Sequence, residues 1–198
     1  MRILDAAANV LSVKGYAGTR LSDVAEFAEL QAPAIYYYFS SRDELIEEVM
    51  YAGIADMRVH LRAALDELDP TTPALEKILV AVEAHLRHEL ELSHYTTASI
   101  RNAGQIPGRL RARQHEEERA YGAIWRELFD NASSNGELRP ELDVRLAQLL
   151  VVGALNWAAE WFDPRRSSVD SVVASARHLI RYGLSTGEIP LDRVCAIF

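Results

Sequence analysis

The chain has 198 residues, 49% of them hydrophobic and 25% charged, with a net charge of −8. That length suits one generous domain or a small domain fused to a larger one. No run of about 18 apolar residues occurs, so no transmembrane helix and no membrane partner are expected, and the acidic balance argues against nucleic-acid binding by bulk charge. The start, MRILDAAANVL, carries Asp5 and no small-residue cleavage site behind it, so it does not read as a signal peptide. A single cysteine, Cys195, cannot form an intramolecular disulfide and fits a reducing, cytoplasmic setting.

Helical spacing recurs along the whole chain and period-two alternation is missing, which predicts an all-α protein of about nine helices. The first spans Arg2 to Lys14, with Ile3, Ala7, Val10 and Leu11 on one apolar face and Gly15 as a left-handed terminator. Thr19 is the expected N-cap of a second helix, Arg20 to Ala28, with Leu21, Val24, Ala25 and Ala28 as its buried stripe. After the break Glu29–Gln31, Pro33 suits the first turn of a short third helix that lasts to Phe39. Ser41 and Glu44 form a capping box for a long fourth helix that ends near Leu68, before the breaker DPTTP. Further helices are expected over Ala74–Leu92, Tyr95–Ala103, Arg109–Ala132, Glu141–Phe162 and Val169–Leu184. The tail from residue 186 to 198 carries little pattern.

The third helix bears the oddest composition, APAIYYYF. On a helical wheel Ile35 and Phe39 share the inward face, Pro33, Ala34 and Tyr37 lie opposite, and Tyr36 and Tyr38 flank them. All four rings cannot enter one core. Two helices joined by a short turn, the second showing an unusual exposed face, describe a helix-turn-helix whose second helix enters the major groove of double-stranded DNA. Ala32, Pro33 and Ala34 are then the probing tip, able to approach thymine methyls. Tyr36 and Tyr38 reach the backbone, and Arg42 adds a cation at the start of the fourth helix. The first 45 residues hold four bases (Arg2, Lys14, Arg20, Arg42) against six acids. Binding must therefore rest on where the donors sit, and it should be strongly salt-dependent.

Residues 3–45, ILDAAANVLSVKGYAGTRLSDVAEFAELQAPAIYYYFSSRDEL, resemble the N-terminal domain of the TetR family of bacterial transcriptional repressors. Gly15, Tyr16, Thr19, Val24, Ala25, Ile35, Tyr36, Tyr38, Phe39, Ser41, Arg42 and Leu45 fall in register with the family pattern. The resemblance implies a helix-turn-helix DNA-binding domain over 1–45, a helical ligand-binding and dimerisation domain over 46–185, and a palindromic operator bound by a two-fold homodimer. It assigns DNA contacts to Thr19, Tyr36, Tyr38 and Arg42, to which the wheel adds Ala32, Pro33, Ala34 and Tyr37. Three positions depart from the pattern. Glu29 and Gln31 stand where a glycine and a capping serine are usual, and Arg20 where a second threonine often follows the first. Gln31 and Arg20 are therefore further contact candidates.

In the larger C-terminal part, LAQLLVVGALNWAAEWF is apolar around too much of its circumference for a surface helix. Leu149, Val152, Gly153 and Asn156 on this helix, with Val172, Ala176, Leu179, Ile180 and Gly183 on the last, are placed to pair with their symmetry mates in a four-helix dimer interface. Closure of a monomeric core is the alternative. His85, Tyr95, Asn102, Tyr121, Trp125, Asn156 and Trp157 are the polar and aromatic candidates for an effector pocket. The stretch GELRPELDVRLAQLLVVGALNWAAEWFDP resembles the C-terminal region of a subgroup that responds to acyl-CoA thioesters. This implies a small hydrophobic or acyl-CoA effector, with Arg101, Arg109, Arg111 and Arg113 near a CoA phosphate.

Other chemistry finds little support. His85, His88, Glu89 and His94 lack a matching ligand set on a second helix, so no metal or cofactor is expected. There is no Gly-x-Ser-x-Gly elbow and no phosphate-cradling glycine loop, so enzymatic activity is not expected. The alternative function is an all-α enzyme or lipid-carrier bundle with non-DNA-binding N-terminal helices.

Overall fold

In the computed structural model, which describes residues 2–92, 95, 98, 102 and 104–186, the chain is helical and the described residues hold no strand beyond an isolated bridge between Leu138 and Ser185. Helix α1 covers Arg2–Gly18 and breaks where expected, at Gly15, whose φ of 70° is open to a glycine at no steric cost. Helices α2 (Leu21–Phe27) and α3 (Ala32–Tyr38) follow. The N-cap of α2 is Arg20, not Thr19, and it makes no side-chain cap. The Thr19 hydroxyl is instead drawn back to the Gly15 carbonyl, 2.7 Å away, which also accepts the Thr19 N–H at 3.1 Å.

Helix α4 runs from Arg42 to Asp66. The Ser41 hydroxyl accepts the Glu44 N–H as the capping box requires, but the Glu44 carboxylate reaches one residue further back, to the N–H and hydroxyl of Ser40. These bonds hold the Glu44 carboxyl below its ordinary range. The same helix serves two cores. Leu45, Ile46, Val49 and Met50 pack with Leu11, Val24 and Ile35, while Ile54, Met57 and Leu61 pack into the body.

Helix α5 (Ala74–Arg87) crosses the centre of the body, and its expected last turn is a π-helical turn, His88–Leu92. A 3-10 turn at Gly108–Leu110 leads into α6 (Ala112–Ser134), which buries Trp125 and Phe129 completely against α5. The expected helix Glu141–Phe162 is two. Helix α7 (Val144–Asn156) starts at Asp143, whose carboxylate accepts the Leu146 N–H, and a break at Trp157 separates it from the single turn α8 (Ala158–Trp161). Helix α9 (Val169–Leu184) packs on α5 and is stapled there by Arg181 on Glu76 and Arg177 on Glu83. Among the described residues no helix is long and apolar enough to cross a membrane, and none of their His, Cys, Asp and Glu side chains gathers in a group of three fit for a metal. His94, Arg101, Cys195, the tail beyond Thr186 and most of the expected helix Tyr95–Ala103 lie outside the described residues, as does the side chain of Ala32.

Candidate DNA-reading face and effector cavity

The turn before α3 is a Schellman motif. The Leu30 N–H donates to the Ala25 carbonyl and the Glu29 N–H to the Glu26 carbonyl, with Glu29 in the left-handed region at φ 56°. This turn aims α3 outward. Ile35 is fully buried and Phe39 half-buried, while Tyr36, Tyr37 and Tyr38 are exposed, Tyr37 most of all at 84%. Tyr37 and Tyr38 pack edge to face, 5.1 Å between centroids. Arg20, Gln31 and Pro33 are exposed and Ala34 half-exposed beside them.

Two expected contacts are turned inward. Thr19 is buried. Arg42 donates from Nε to the Thr19 carbonyl at 2.7 Å and from Nη2 to the Tyr16 carbonyl, with its guanidinium 4.4 Å from the centre of the Tyr16 ring. Arg42 thus braces the α1–α2 turn.

A cavity of about 580 Å³ opens in the body between α4, α6 and α7. Ile54 and Met57 line it from α4. Gln114, Glu118, Tyr121, Gly122, Trp125 and Arg126 line it from α6. Gln148, Leu149, Val152, Gly153 and Asn156 line it from α7, and Trp157 and Glu160 complete the wall. Behind it lies a buried polar chain. The Tyr121 hydroxyl is 2.7 Å from His85 Nδ1, His85 Nε2 is 3.1 Å from Glu89 Oε2, and Glu89 Oε1 accepts the Ala159 N–H at 3.0 Å. A buried carboxylate needs such partners, and the break at Trp157 frees the N–H that supplies one. The π-helical turn, too, gathers buried polar groups, as such turns often do. Burial pushes the Tyr121 phenol above its ordinary range. The Trp125 indole stands edge-on to the Tyr121 ring, 6.4 Å between centroids, and its buried N–H has no hydrogen-bond partner.

A second, wholly different concavity of about 550 Å³ lies on the outside, between α7 and α9. It is apolar: Leu150, Val151, Ala154, Val172, Ala176, Leu179 and Ile180 border it. Leu150 is 74% exposed and Leu179 73%.

Residues 3–49 match the model for bacterial regulatory proteins of the tetR family, and residues 71–189 match the model for a tetracyclin repressor-like C-terminal domain. The chain belongs to the TetR family.

Among TetR relatives, the HTH-type transcriptional repressor KstR2 of Mycobacterium tuberculosis (strain ATCC 25618 / H37Rv) is 22% identical over 166 residues, covering 82% of this chain and 80% of its own. The crystal structure of PfmR, a TetR family regulator from Thermus thermophilus, is 25% identical with a TM-score of 0.79, covering 92% of this chain and 98% of its own. That of AibR in complex with isovaleryl coenzyme A and operator DNA is 19% identical with a TM-score of 0.81, covering 93% and 100%. The protein is thus a TetR-family transcriptional regulator.

Tyr121, Trp125, Asn156 and Trp157 line the cavity, and His85 stands behind it. Tyr95 and Asn102 do not line it. The Tyr95 hydroxyl donates to Asp5 at 2.7 Å, and burial with that acid beside it pushes its phenol up. Asn102 is fully buried, accepting the Tyr16 N–H at 2.8 Å and donating to the carbonyls of Leu11 and Ala98. Both join the body to α1. The described arginines expected near a CoA phosphate are paired: Arg109 with Asp43 at 2.6 Å, Arg111 with Glu118 at 3.4 Å, and Arg113 with Glu48 at 2.6 Å. The proposed interface residues divide. Leu149, Val152, Gly153 and Asn156 border the cavity, Val172, Ala176, Leu179 and Ile180 border the outer groove, and Gly183 is exposed at the end of α9. Gln114, Glu118 and Gln148 escaped the sequence reading. Their signal was present: Gln114 and Glu118 fall on the helix face of Tyr121 and Trp125, at steps of four, seven and eleven.

Proposed function

We propose that the protein is a homodimeric repressor that holds a palindromic operator with α3 of each subunit and leaves it when a small effector fills the cavity between α4, α6 and α7. The observation that carries the reading is the set of three adjacent exposed tyrosines on a helix anchored from behind by Ile35. Rings standing in water on a braced helix serve no core. Tyr36 and Tyr38 supply hydroxyls for phosphates, Ala34 and Pro33 the close-approach tip, and Arg20 and Gln31 flanking contacts. Arg42 and Thr19 act through the turn they hold together.

The apolar groove between α7 and α9 supports a two-fold dimer. Leu150, Ala154, Ala176 and Leu179 form a face too apolar for water. The cavity adjoins the α7 side of that face, so an effector that spreads α6 from α7 alters the spacing of the two α3 helices, which must match successive major grooves. The acyl-CoA-bound relative of similar fold makes a hydrophobic or acyl-CoA effector the starting candidate.

The test is a gel shift with the DNA upstream of the chain's own gene at low salt. The expected result is retardation of a palindromic fragment and a loss of about tenfold or more in affinity for the Tyr36→Ala, Tyr38→Ala double variant. Failure of any upstream palindrome to shift would sink the repressor reading, and the enzyme or lipid-carrier alternative would then stand.

A further inference from the structure

The chemistry along the α6 wall of the cavity narrows the effector further, granted the proposed role of the cavity. Gln114 is buried and lines the cavity, and its two amide atoms are not equivalent. Nε2 lies 2.8 Å from Glu118 Oε1. A carboxylate only accepts, so the nitrogen must face it and the orientation of the amide is fixed. That leaves Gln114 Oε1 buried with no hydrogen-bond partner. A buried acceptor left unmade costs about 1–3 kcal/mol, and in a cavity wall it marks a place for a donor.

The next two polar groups along the same face agree in kind, and the buried Trp125 Nε1–H beyond them is a donor without a partner. Glu118 offers a carboxylate. Tyr121 lies one turn on. His85 faces the Glu89 carboxylate through Nε2, so in the neutral imidazole that nitrogen carries the hydrogen and Nδ1 receives the Tyr121 hydroxyl. Tyr121 has its one hydrogen committed, and a ligand that reaches its oxygen meets an acceptor. Gln114, Glu118 and Tyr121 therefore form an acceptor row, with apolar Ile54, Met57, Leu149 and Val152 around it. The ionised side chains that line the cavity among the described residues are Glu118, Glu160 and Arg126. Arg126 is the one cation among them, set against the several negative charges of a polyphosphate.

We infer that the cavity selects an apolar molecule whose head group donates hydrogen bonds, an alkyl or aryl amine or alcohol, and that it disfavours a CoA thioester. The head lies against Gln114 and Glu118. The apolar body runs along α6 toward Trp125, eleven residues or about 16 Å further down the helix. The phosphates of CoA would face an acceptor row, while Arg109 and Arg113 are already paired with acids on α4.

The inference is tested by calorimetric titration of the full-length protein, free of DNA, with three probes that share one chain: n-octylamine, 1-octanol and octanoyl-CoA. Amine or alcohol is expected to bind about tenfold or more tighter than octanoyl-CoA. A preference for the amine over the alcohol identifies a charged head, and parity a neutral one. Gln114→Leu, which keeps the volume and removes the acceptor, is expected to weaken the preferred probe about tenfold and leave octanoyl-CoA unchanged. Circular dichroism checks that the variant folds. Tighter binding of octanoyl-CoA, no binding of either donor probe, or an unchanged affinity in Gln114→Leu overturns the inference. Because the titration contains no DNA, a chain that shifts no operator yet shows this ranking would lose the repressor reading alone.

Discussion

Glu29 shows how much one residue decides. It adopts the left-handed conformation that ends α2, a place where a side chain with a Cβ costs about 1–2 kcal/mol. The motif's hydrogen bonds and the aim of α3 depend on that conformation. Its ion pair with Arg2 is exposed on both sides and contributes little. Glu29→Gly is therefore expected to stabilise the protein by about 0.5–1 kcal/mol, since glycine relieves the steric cost and gives some of it back as chain entropy. Chemical denaturation would measure it, and a lower midpoint would refute the strain. The sequence flagged this position because a glycine is usual there, yet it could not show that the turn keeps its shape without one. The fate of Arg42 was hidden for a similar reason. A cation at a helix start reads as a phosphate ligand until the Tyr16 and Thr19 carbonyls are seen within its reach.

At the scale of elements, helix ends are closed by residues far along the chain. Helix α5 begins after Pro73, which offers no cap, and the Glu137 carboxylate arrives from across the body to accept the N–H groups of Ala74 and Leu75 at 3.0 and 2.7 Å. Burial alone would raise this carboxyl. The Leu75, Asn135 and Ala74 donors outweigh it and leave the group below its ordinary range. A carboxyl whose folded pKa is depressed adds stability above its unfolded pKa, and that stability is lost as the pH falls through the folded value. Glu137→Gln is expected to cost about 0.5–2 kcal/mol at pH 7, as for loss of an N-cap. The difference from the parent should shrink as the pH falls below the ordinary glutamate range, and thermal melts at pH 7 and pH 3.5 compare the two. The capping box at Ser41 was legible because its parts lie three residues apart. The Glu137 cap was not, because nothing local ties it to a helix more than sixty residues earlier.

The whole molecule carries two further consequences. The face of α7 and α9 is expected to hold the dimer, so Leu150→Glu with Leu179→Glu should yield a helical monomer by analytical ultracentrifugation. That variant should also lose the operator shift. A monomeric parent would count against the interface. His88 makes stability sensitive to acid. His88 sits in the body, stacked on His60 at 4.8 Å, with Nε2 3.2 Å from Asp56 but off line for a hydrogen bond. Burial pulls its pKa down more strongly than Asp56 raises it. The unfolded chain therefore takes the proton first, and stability should fall as the pH drops through the ordinary histidine range near 6.5. The expected sign is a lower Tm at pH 5.5 than at pH 7.5, with a smaller gap in His88→Gln.

What the sequence determined by itself was most of what short range governs, though the N-cap at Arg20 and the break at Trp157 escaped it. Apolar spacing set the helices, Gly15 and Pro33 their breaks, and the wheel of APAIYYYF the outward tyrosines, because period and sterics act within a few residues. Only the tertiary structure decided which polar side chains face the cavity and which are spent elsewhere. Tyr95 and Asn102 proved to be ties to α1, Arg109 and Arg113 to be partners of acids on α4, and Gln114 to be a buried acceptor awaiting a donor. The role of a polar side chain depends on which donors and acceptors folding brings within about 3 Å of it, and those partners lie up to 105 residues away in the chain.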